Sequence, residues 1–267
     1  MPYDVKNPPT RRTIPRLEEV GCWRAHANLW SHIISSGVSS ALIFEDDADF
    51  SVGIRDILEG VSQQLQDIIG ARNGEPYGIV DNNSWDLLAL GSCANGMPNQ
   101  KENPKAAEMI RVWNDPYAPK NDKQHLPGDQ DERLRMLTIS KGWACTQAYA
   151  VTRAGAMRLL YNVGGPGRFL DQPMDLLMYD QVNRGLLKSF VVLPSVVGQW
   201  KMADWRDSDI SPPSDEELQY LQKGSGSSII KSVREDISQV FGNRNIWKEI
   251  EEGGEREEEM KEEELLE

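Results

Sequence analysis

No apolar stretch in this 267-residue chain approaches the roughly 18 residues that a membrane-crossing helix requires, which excludes a helical span. The first residues, MPYDVKNPPTRRTIPRLEE, lack the apolar core of a signal peptide, so none is expected. Cysteine is scarce. Cys22, Cys93 and Cys145 form no CxxC pair, offer no metal site by spacing, and cannot make a full disulfide set because one must be left over. The redox compartment is therefore undetermined, and Cys22 and Cys145 read as small buried residues. Histidine is equally sparse, with only His26, His32 and His125. Two-metal phosphohydrolase sites commonly draw on histidines as well as acids, so that class has little support here and would need His125 near the acidic cluster described below. Positive charge is short as well: 29 Lys and Arg stand against 42 Asp and Glu, a formal net charge of −13. Residues 249–267 hold 11 Glu against Arg256 and Lys261, a net of −9, which leaves −4 for residues 1–248. A mildly acidic body excludes a basic nucleic-acid footprint. The tail EIEEGGEREEEMKEEELLE reads as solvated disorder or a frayed helix, with binding to a basic partner the lesser alternative.

What is present is a regular alternation of patterns. Residues 1–16 carry four prolines and no period, and read as an extended lead-in. Val20, Trp23, Ala27, Trp30, Ile33 and Ile34 recur at spacings of three and four, which predicts a helix over Leu17–Ser36 stopped by Gly37. Ser40–Glu45 is a short apolar run and predicts a buried strand. A helix is expected over Ile54–Ile69, a strand over Trp85–Leu90, and a long polar loop from Asn95 to Asp131. Strands follow over Arg135–Ser140 and Thr146–Thr152, then a helix over Arg153–Val163 and a turn at GGPGRF. A helix over Pro173–Asn183 and a strand over Lys188–Leu193 come next. Past Pro212 the chain turns helical and charged and is expected at the periphery. The division is thus lead-in 1–16, core domain 17–210, helical extension 211–248 and acidic tail 249–267. Strands alternating with helices predict an α/β fold, a mostly parallel sheet flanked by helices, whose ligands lie beyond the carboxyl ends of the strands.

One strand end stands out. In ALIFEDDADF (41–50) an apolar run stops in four carboxylates, Glu45, Asp46, Asp47 and Asp49. Side chains alternate along an extended backbone, so Glu45 and Asp47 share one side, with Asp49 joining them if the strand persists. Close carboxylates repel and raise each other's pKa unless a cation lies between them. A hard divalent ion such as Mn²⁺ or Mg²⁺, its shell completed by phosphate oxygens, suits such all-oxygen ligands. A solvated acidic turn is the alternative.

Three further stretches bear on that choice: GCWRAHANLW (21–30), QAYAVTRAGAMRLL (147–160), and PMDLLM (173–178) followed by VVLPSVVGQW (191–200) and SDI (208–210). In this order and spacing the set resembles glycosyltransferase family 25, the family of bacterial lipopolysaccharide galactosyltransferases and procollagen galactosyltransferases. Gly21, Cys22, His26 and Trp30 match the family's G-C-x-x-S-H-x-x-x-W pattern, with Ala25 standing where serine is usual. The SDI ending is what fungal members look like. The resemblance implies a GT-A-like fold that transfers a hexose, galactose by resemblance, from a UDP-sugar to an acceptor hydroxyl with inversion. The acceptor the resemblance implies is a glycan or protein hydroxyl, with a lipid-linked sugar left open.

EDD then takes the part of that fold's DxD motif. Glu45 and Asp46 contact the donor near its ribose or sugar, and Asp47 with Glu45 holds Mn²⁺ (or Mg²⁺) on the diphosphate. An inverting transfer needs a carboxylate base on the acceptor hydroxyl, with Asp175 the first choice and Asp171 the second. Asp175 equally reads as an acid favoured by the helix dipole, since it follows Pro173 at the helix start. His26 is expected to pack or hydrogen-bond behind the site, or to contact the sugar or the EDD strand. Trp23 and Trp30 are expected in the core. Gln199, which follows a strand end, is expected to face the donor site where the family more often carries histidine. Family members also carry a strand–helix–strand unit ahead of the G-C helix that contributes to uridine and ribose binding. Only 20 residues precede Gly21, so an N-terminally incomplete domain with an exposed sheet edge is expected, as is a catalytically inactive binding module if the donor site is not whole. By resemblance the compartment is the secretory pathway or Golgi.

Overall fold

The spacings of three and four, and the short apolar runs between them, become the helices and strands they predict. The computed structural model describes residues 16–70, 84–97, 104–120, 126, 132–164, 172–201 and 229–234. In chain order the elements are α1 (Leu17–Ser36), β1 (Ser40–Phe44), β2 (Ala48–Phe50), α2 (Ile54–Ile69), β3 (Leu87–Gly91), β4 (Ala94–Asn95) and α3 (Pro104–Glu108). They continue with β5 (Arg111–Asn114), β6 (Leu134–Ile139), β7 (Trp143–Ala144), β8 (Ala148–Thr152), α4 (Arg153–Gly164), α5 (Met174–Asn183), β9 (Ser189–Leu193) and β10 (Val197–Gln199). Gly37 closes α1 in the left-handed conformation (φ 76°), which a residue without a side chain adopts at little cost. The lead-in before Arg16, residues 165–169 of the GGPGRF turn, Asp171, His125, the SDI stretch, most of the helical extension and the acidic tail lie outside the described residues.

Six strands form one sheet in the order β1-β8-β3-β9-β6-β5. The α/β architecture is as expected, but strand direction is mixed. β3 and β9 pair in parallel, while β1–β8, β3–β8, β6–β9 and β5–β6 are antiparallel. Following these pairings, β1, β3, β9 and β5 run one way and β8 and β6 the other. A continuous apolar run reports burial on both faces, not direction, so the sequence leaves each pairing open. Within the expected Asn95–Asp131 loop the structure has α3 and the edge strand β5. Its residues alternate between half-buried and exposed, a pattern only four residues long that periodicity does not separate from loop.

Alternation along the strands divides the core in two. Leu87 and Ala89 of β3, Tyr149 and Val151 of β8, and Val191 and Leu193 of β9 face α1, α4 and α5. Their neighbours Leu88, Leu90, Ala148, Phe190 and Val192 face α2, which buries Ile57, Val61 and Leu65 against them. Residues i, i+4 and i+8 make a single stripe on a helix, as this layering requires. Gly155 lets α4 approach the sheet. A Cβ there would sit 2.5 Å from the carbonyl oxygen of Asp86, closer than any side chain tolerates. β1, expected to be buried, instead lies at the sheet's edge with Leu42 and Phe44 exposed and only Ile43 buried, because a strand paired on one side alone has no second neighbour to cover it. The carboxyl ends of β1, β3 and β9 meet at one end of the sheet, where the backbone N–H of Ser92 donates to Ser195 Oγ at 3.4 Å.

Candidate functional site

β1 stops at Phe44, and the acids that follow form a turn. The Glu45 N–H donates to Gln147 O at 3.0 Å, and the Ala48 N–H donates back to Glu45 O at 3.1 Å. The extended alternation expected to carry Glu45, Asp47 and Asp49 onto one side is therefore interrupted, and each acid has its own partners. Asp49 is withdrawn into the structure. It is 1% exposed, accepts from Ser232 Oγ at 2.6 Å and takes the Arg234 N–H at 3.2 Å. Arg234 also donates its guanidinium to the carbonyls of Ala48 (3.0 Å) and Asp46 (2.5 Å). Residues 229–234, expected at the periphery, thus brace the acidic turn, with a bridge between Ser51 and Ser232 beside it.

Asp47 is fixed from the other flank. β10 pairs with β2, placing Gln199 opposite Ala48. Gln199 Nε2 donates to Asp47 Oδ2 at 2.7 Å, and the Trp200 N–H donates to the Asp47 carbonyl at 2.8 Å. Gln199 therefore reaches the acidic turn, with its amide N–H given to Asp47. The second carboxylate oxygen, Asp47 Oδ1, is buried and has no hydrogen-bond partner among the described residues. Burial raises the Asp47 pKa, the Gln199 bond opposes the shift, and the charges of Glu45 and Asp46 add to it. Asp46 is exposed at the tip.

Glu45 faces α1 and β8. Its Oε1 accepts from Thr146 Oγ1 at 2.5 Å and lies 3.7 Å from His26 Nε2. Behind it, His26 Nδ1 meets the Tyr149 hydroxyl at 2.8 Å, and Trp30 Nε1 donates to the same hydroxyl at 2.9 Å. Trp30 is fully buried, as expected, and Trp23 packs against the same cluster. Asp175, in the first turn of α5, joins this group. Its Oδ2 accepts the Cys145 N–H at 2.8 Å and its Oδ1 the Leu176 N–H at 2.9 Å. Desolvation raises its pKa, these two bonds counter the shift, and the charge of Glu45 adds to it. Both carboxylate oxygens thus serve backbone N–H groups, one of them at the start of α5, the role expected of a helix-start acid.

Cys22 completes the group. Burial, then the charges of Glu45 and Asp175, push its thiol up to about 11. Ligand atoms of Cys22, His26 and Glu45 all lie within 4.8 Å of one another. Cys145 is not the free buried residue the sequence suggests. It is disulfide-bonded to Cys93, with Cα atoms 5.5 Å apart, because the β4–β7 ribbon brings residues 52 apart into register. That bond ties down the turn whose next two groups, the Cys145 N–H and the Thr146 hydroxyl, hold Asp175 and Glu45.

The structure thus gathers Glu45, Asp46, Asp47, His26, Gln199 and Asp175 at the carboxyl end of β1. Thr146, Tyr149 and Arg234 were missed from sequence. Tyr149 sits inside the QAYAV stretch, but a lone hydroxyl carries no spacing signal. Among the described residues no Lys or Arg side chain pairs with the carboxylates of Glu45, Asp46 or Asp47. The buried, unpartnered Asp47 oxygen is the type of ligand a hard divalent cation takes, although Glu45, Asp46 and Asp47 do not form a three-ligand group among the described residues.

A family model described as glycosyltransferase family 25 (LPS biosynthesis protein) matches residues 12–178. The chain belongs to glycosyltransferase family 25. The match takes in α1 with Cys22 and His26, the acidic turn, β8 and Asp175. Among curated relatives, the human protein named inactive glycosyltransferase 25 family member 3 is 25% identical over 255 residues, 89% of this chain and 35% of its own length. The rat protein, probable inactive glycosyltransferase 25 family member 3, is 26% identical over 251 residues, again 89% of this chain and 36% of its own length. Zebrafish procollagen galactosyltransferase 1 is 30% identical over 73 residues, 27% of this chain and 10% of its own length. This family 25 chain thus spans about a third of the length of the human and rat relatives.

Proposed function

We propose that the chain is a sugar-transfer domain in which the acidic turn receives a nucleotide-sugar diphosphate together with Mn²⁺ or Mg²⁺. The observation that carries this reading is the buried, unpartnered Asp47 Oδ1 at the carboxyl end of β1. Asp47 and Glu45 would hold the cation, and Asp46, exposed at the turn's tip, would border the donor. A cation bound there supplies Lewis-acid stabilisation of the charge that develops on the leaving diphosphate.

The chain's own groups do the rest. Gln199 and the Trp200 N–H fix Asp47, and Thr146 fixes Glu45, so the carboxylates are preorganised before any ligand arrives. Asp175 accepts the acceptor hydroxyl's proton at a carboxylate oxygen. Its two backbone N–H bonds orient it, and burial raises its pKa, making it a stronger proton acceptor than an exposed aspartate. Asp171, the second choice for this role, lies outside the described residues. Galactose from UDP-galactose is the donor favoured by the procollagen galactosyltransferase match, and a glycan or protein hydroxyl is the acceptor.

The test is release of UDP from UDP-galactose with Mn²⁺ present. We expect turnover in the wild type, none in Asp47→Ala, and a loss of about a hundredfold or more in Asp175→Asn. A second reading is favoured by a specific observation: the relatives covering 89% of this chain are named inactive or probably inactive. That reading predicts a folded chain without turnover, indifferent to Asp47→Ala.

A further inference from the structure

The Trp30–Tyr149–His26 arrangement determines where the histidine's proton lies. Indole Nε1 can only donate, so Trp30 takes a lone pair of the Tyr149 hydroxyl. Tyr149 is 0% exposed and has just two hydrogen-bond partners among the described residues, Trp30 and His26. Burial holds its phenol protonated far above the ordinary value. Its O–H hydrogen must go to a partner, since an unpaired buried donor costs about 1–3 kcal/mol. The one acceptor in reach is His26 Nδ1, at 2.8 Å. A neutral His26 with a lone pair on Nδ1 carries its proton on Nε2. That N–H faces Glu45 Oε1 across 3.7 Å.

Two consequences follow. The Cys22–His26–Glu45 grouping is not a ligand set in this state, because Nε2 holds a proton where a metal needs a lone pair. Glu45 instead lies between two donors, Thr146 Oγ1 on one side and His26 Nε2–H on the other.

We propose that Trp30, Tyr149 and His26 form a relay that presents a neutral Nε2–H to Glu45, making His26 and Tyr149 positioning residues for the first carboxylate of the acidic turn. The functional importance of Glu45 rests on the donor-site reading above; the relay itself does not. At 3.7 Å the pair is beyond hydrogen-bond length, so a small rotation of the half-buried Glu45 side chain closes it when a ligand draws that carboxylate inward. Stacking of the His26 and Tyr149 rings, centroids 5.7 Å apart and 19° from coplanar, keeps the imidazole from turning with it.

The test uses the ligand-free chain, so it does not depend on nucleotide or metal binding. Nitrogen NMR of histidine-labelled protein should show His26 with an imine-type Nδ1 and a protonated Nε2, assigned by loss of the signals in His26→Gln. In Tyr149→Phe the Nδ1 signal should shift to the position of an imine nitrogen without a donor. A protonated Nδ1, or an Nδ1 signal indifferent to Tyr149→Phe, overturns the relay. The Glu45 carboxylate carbon signal provides the second readout. It should shift in His26→Leu and return in His26→Gln, whose amide offers one acceptor to Tyr149 and one donor to Glu45. Equal displacement in both variants, or none in either, overturns the positioning role. If Tyr149→Phe does not fold, the His26 pair carries the test alone. A relay seen in a chain that binds no UDP would sink the donor-site reading and leave this one standing.

Discussion

Asp47 gives one carboxylate oxygen to Gln199 and keeps the other buried and free, an arrangement that disfavours its own charge. A raised folded-state pKa means that protons compete with a cation earlier than at an ordinary aspartate. Mn²⁺ affinity should therefore be full above that raised pKa and fall as pH drops through it. The loss should begin at a higher pH than the usual aspartate range of about 3.9 allows, checked by Mn²⁺ titrations from neutral toward mildly acid pH. Cys22 gives a second residue-scale prediction. A thiol pushed from 9.0 to about 11 holds roughly a hundredfold less thiolate near neutral pH. Alkylation of Cys22 should be slower by at least that factor in the folded chain than in the denatured one, measured by mass spectrometry. Of the site, Glu45 and Asp47 were legible because an apolar run ending in acids is unusual. Thr146 and Tyr149 were not, because a single hydroxyl at a strand start is identical in sequence whether it holds a carboxylate or faces water.

Elements carry the next set of constraints. α4 lies so close to the entry of β3 that Gly155→Ala forces a Cβ into the Asp86 carbonyl. Denaturant unfolding should register a loss of about 1–3 kcal/mol, typical of overpacking. Residues 229–234 make the opposite kind of contact, polar and remote in sequence. Ser232→Ala removes a hydrogen bond to the buried Asp49 and should cost about 1–3 kcal/mol, with Mn²⁺ affinity falling as the turn loosens. No change in either quantity would mean that this segment does not brace the turn. Helices α1 and α2 were legible to within a residue because a stripe of apolar side chains at 3.6-residue spacing records which face is buried. Strand direction and the return of residues 229–234 were not. Burial patterns carry no sign for direction, and a Ser and an Arg in a polar stretch give no hint of a partner more than 180 residues away.

At the scale of the molecule, the sheet places the carboxyl ends of β1, β3 and β9 at one end of its strands, and the disulfide ties the β7–β8 turn to β4 beside them. Its two cysteines were visible in the sequence, but their pairing depends on the β4–β7 ribbon, which is too short to read. Reduction should lower stability by about 2–4 kcal/mol, seen as a reductant-dependent thermal midpoint that a Cys93→Ser, Cys145→Ser chain does not show. The chain belongs to glycosyltransferase family 25, while the names of the human and rat relatives leave activity to be measured. The central claim is that the acidic turn is a metal–diphosphate site, and titration calorimetry with UDP, with and without Mn²⁺, tests it most directly. Mn²⁺-dependent binding with an affinity on the order of micromolar, lost in Asp47→Ala, is expected. A folded chain that binds no UDP under either condition, or binds equally well without Asp47, would contradict it.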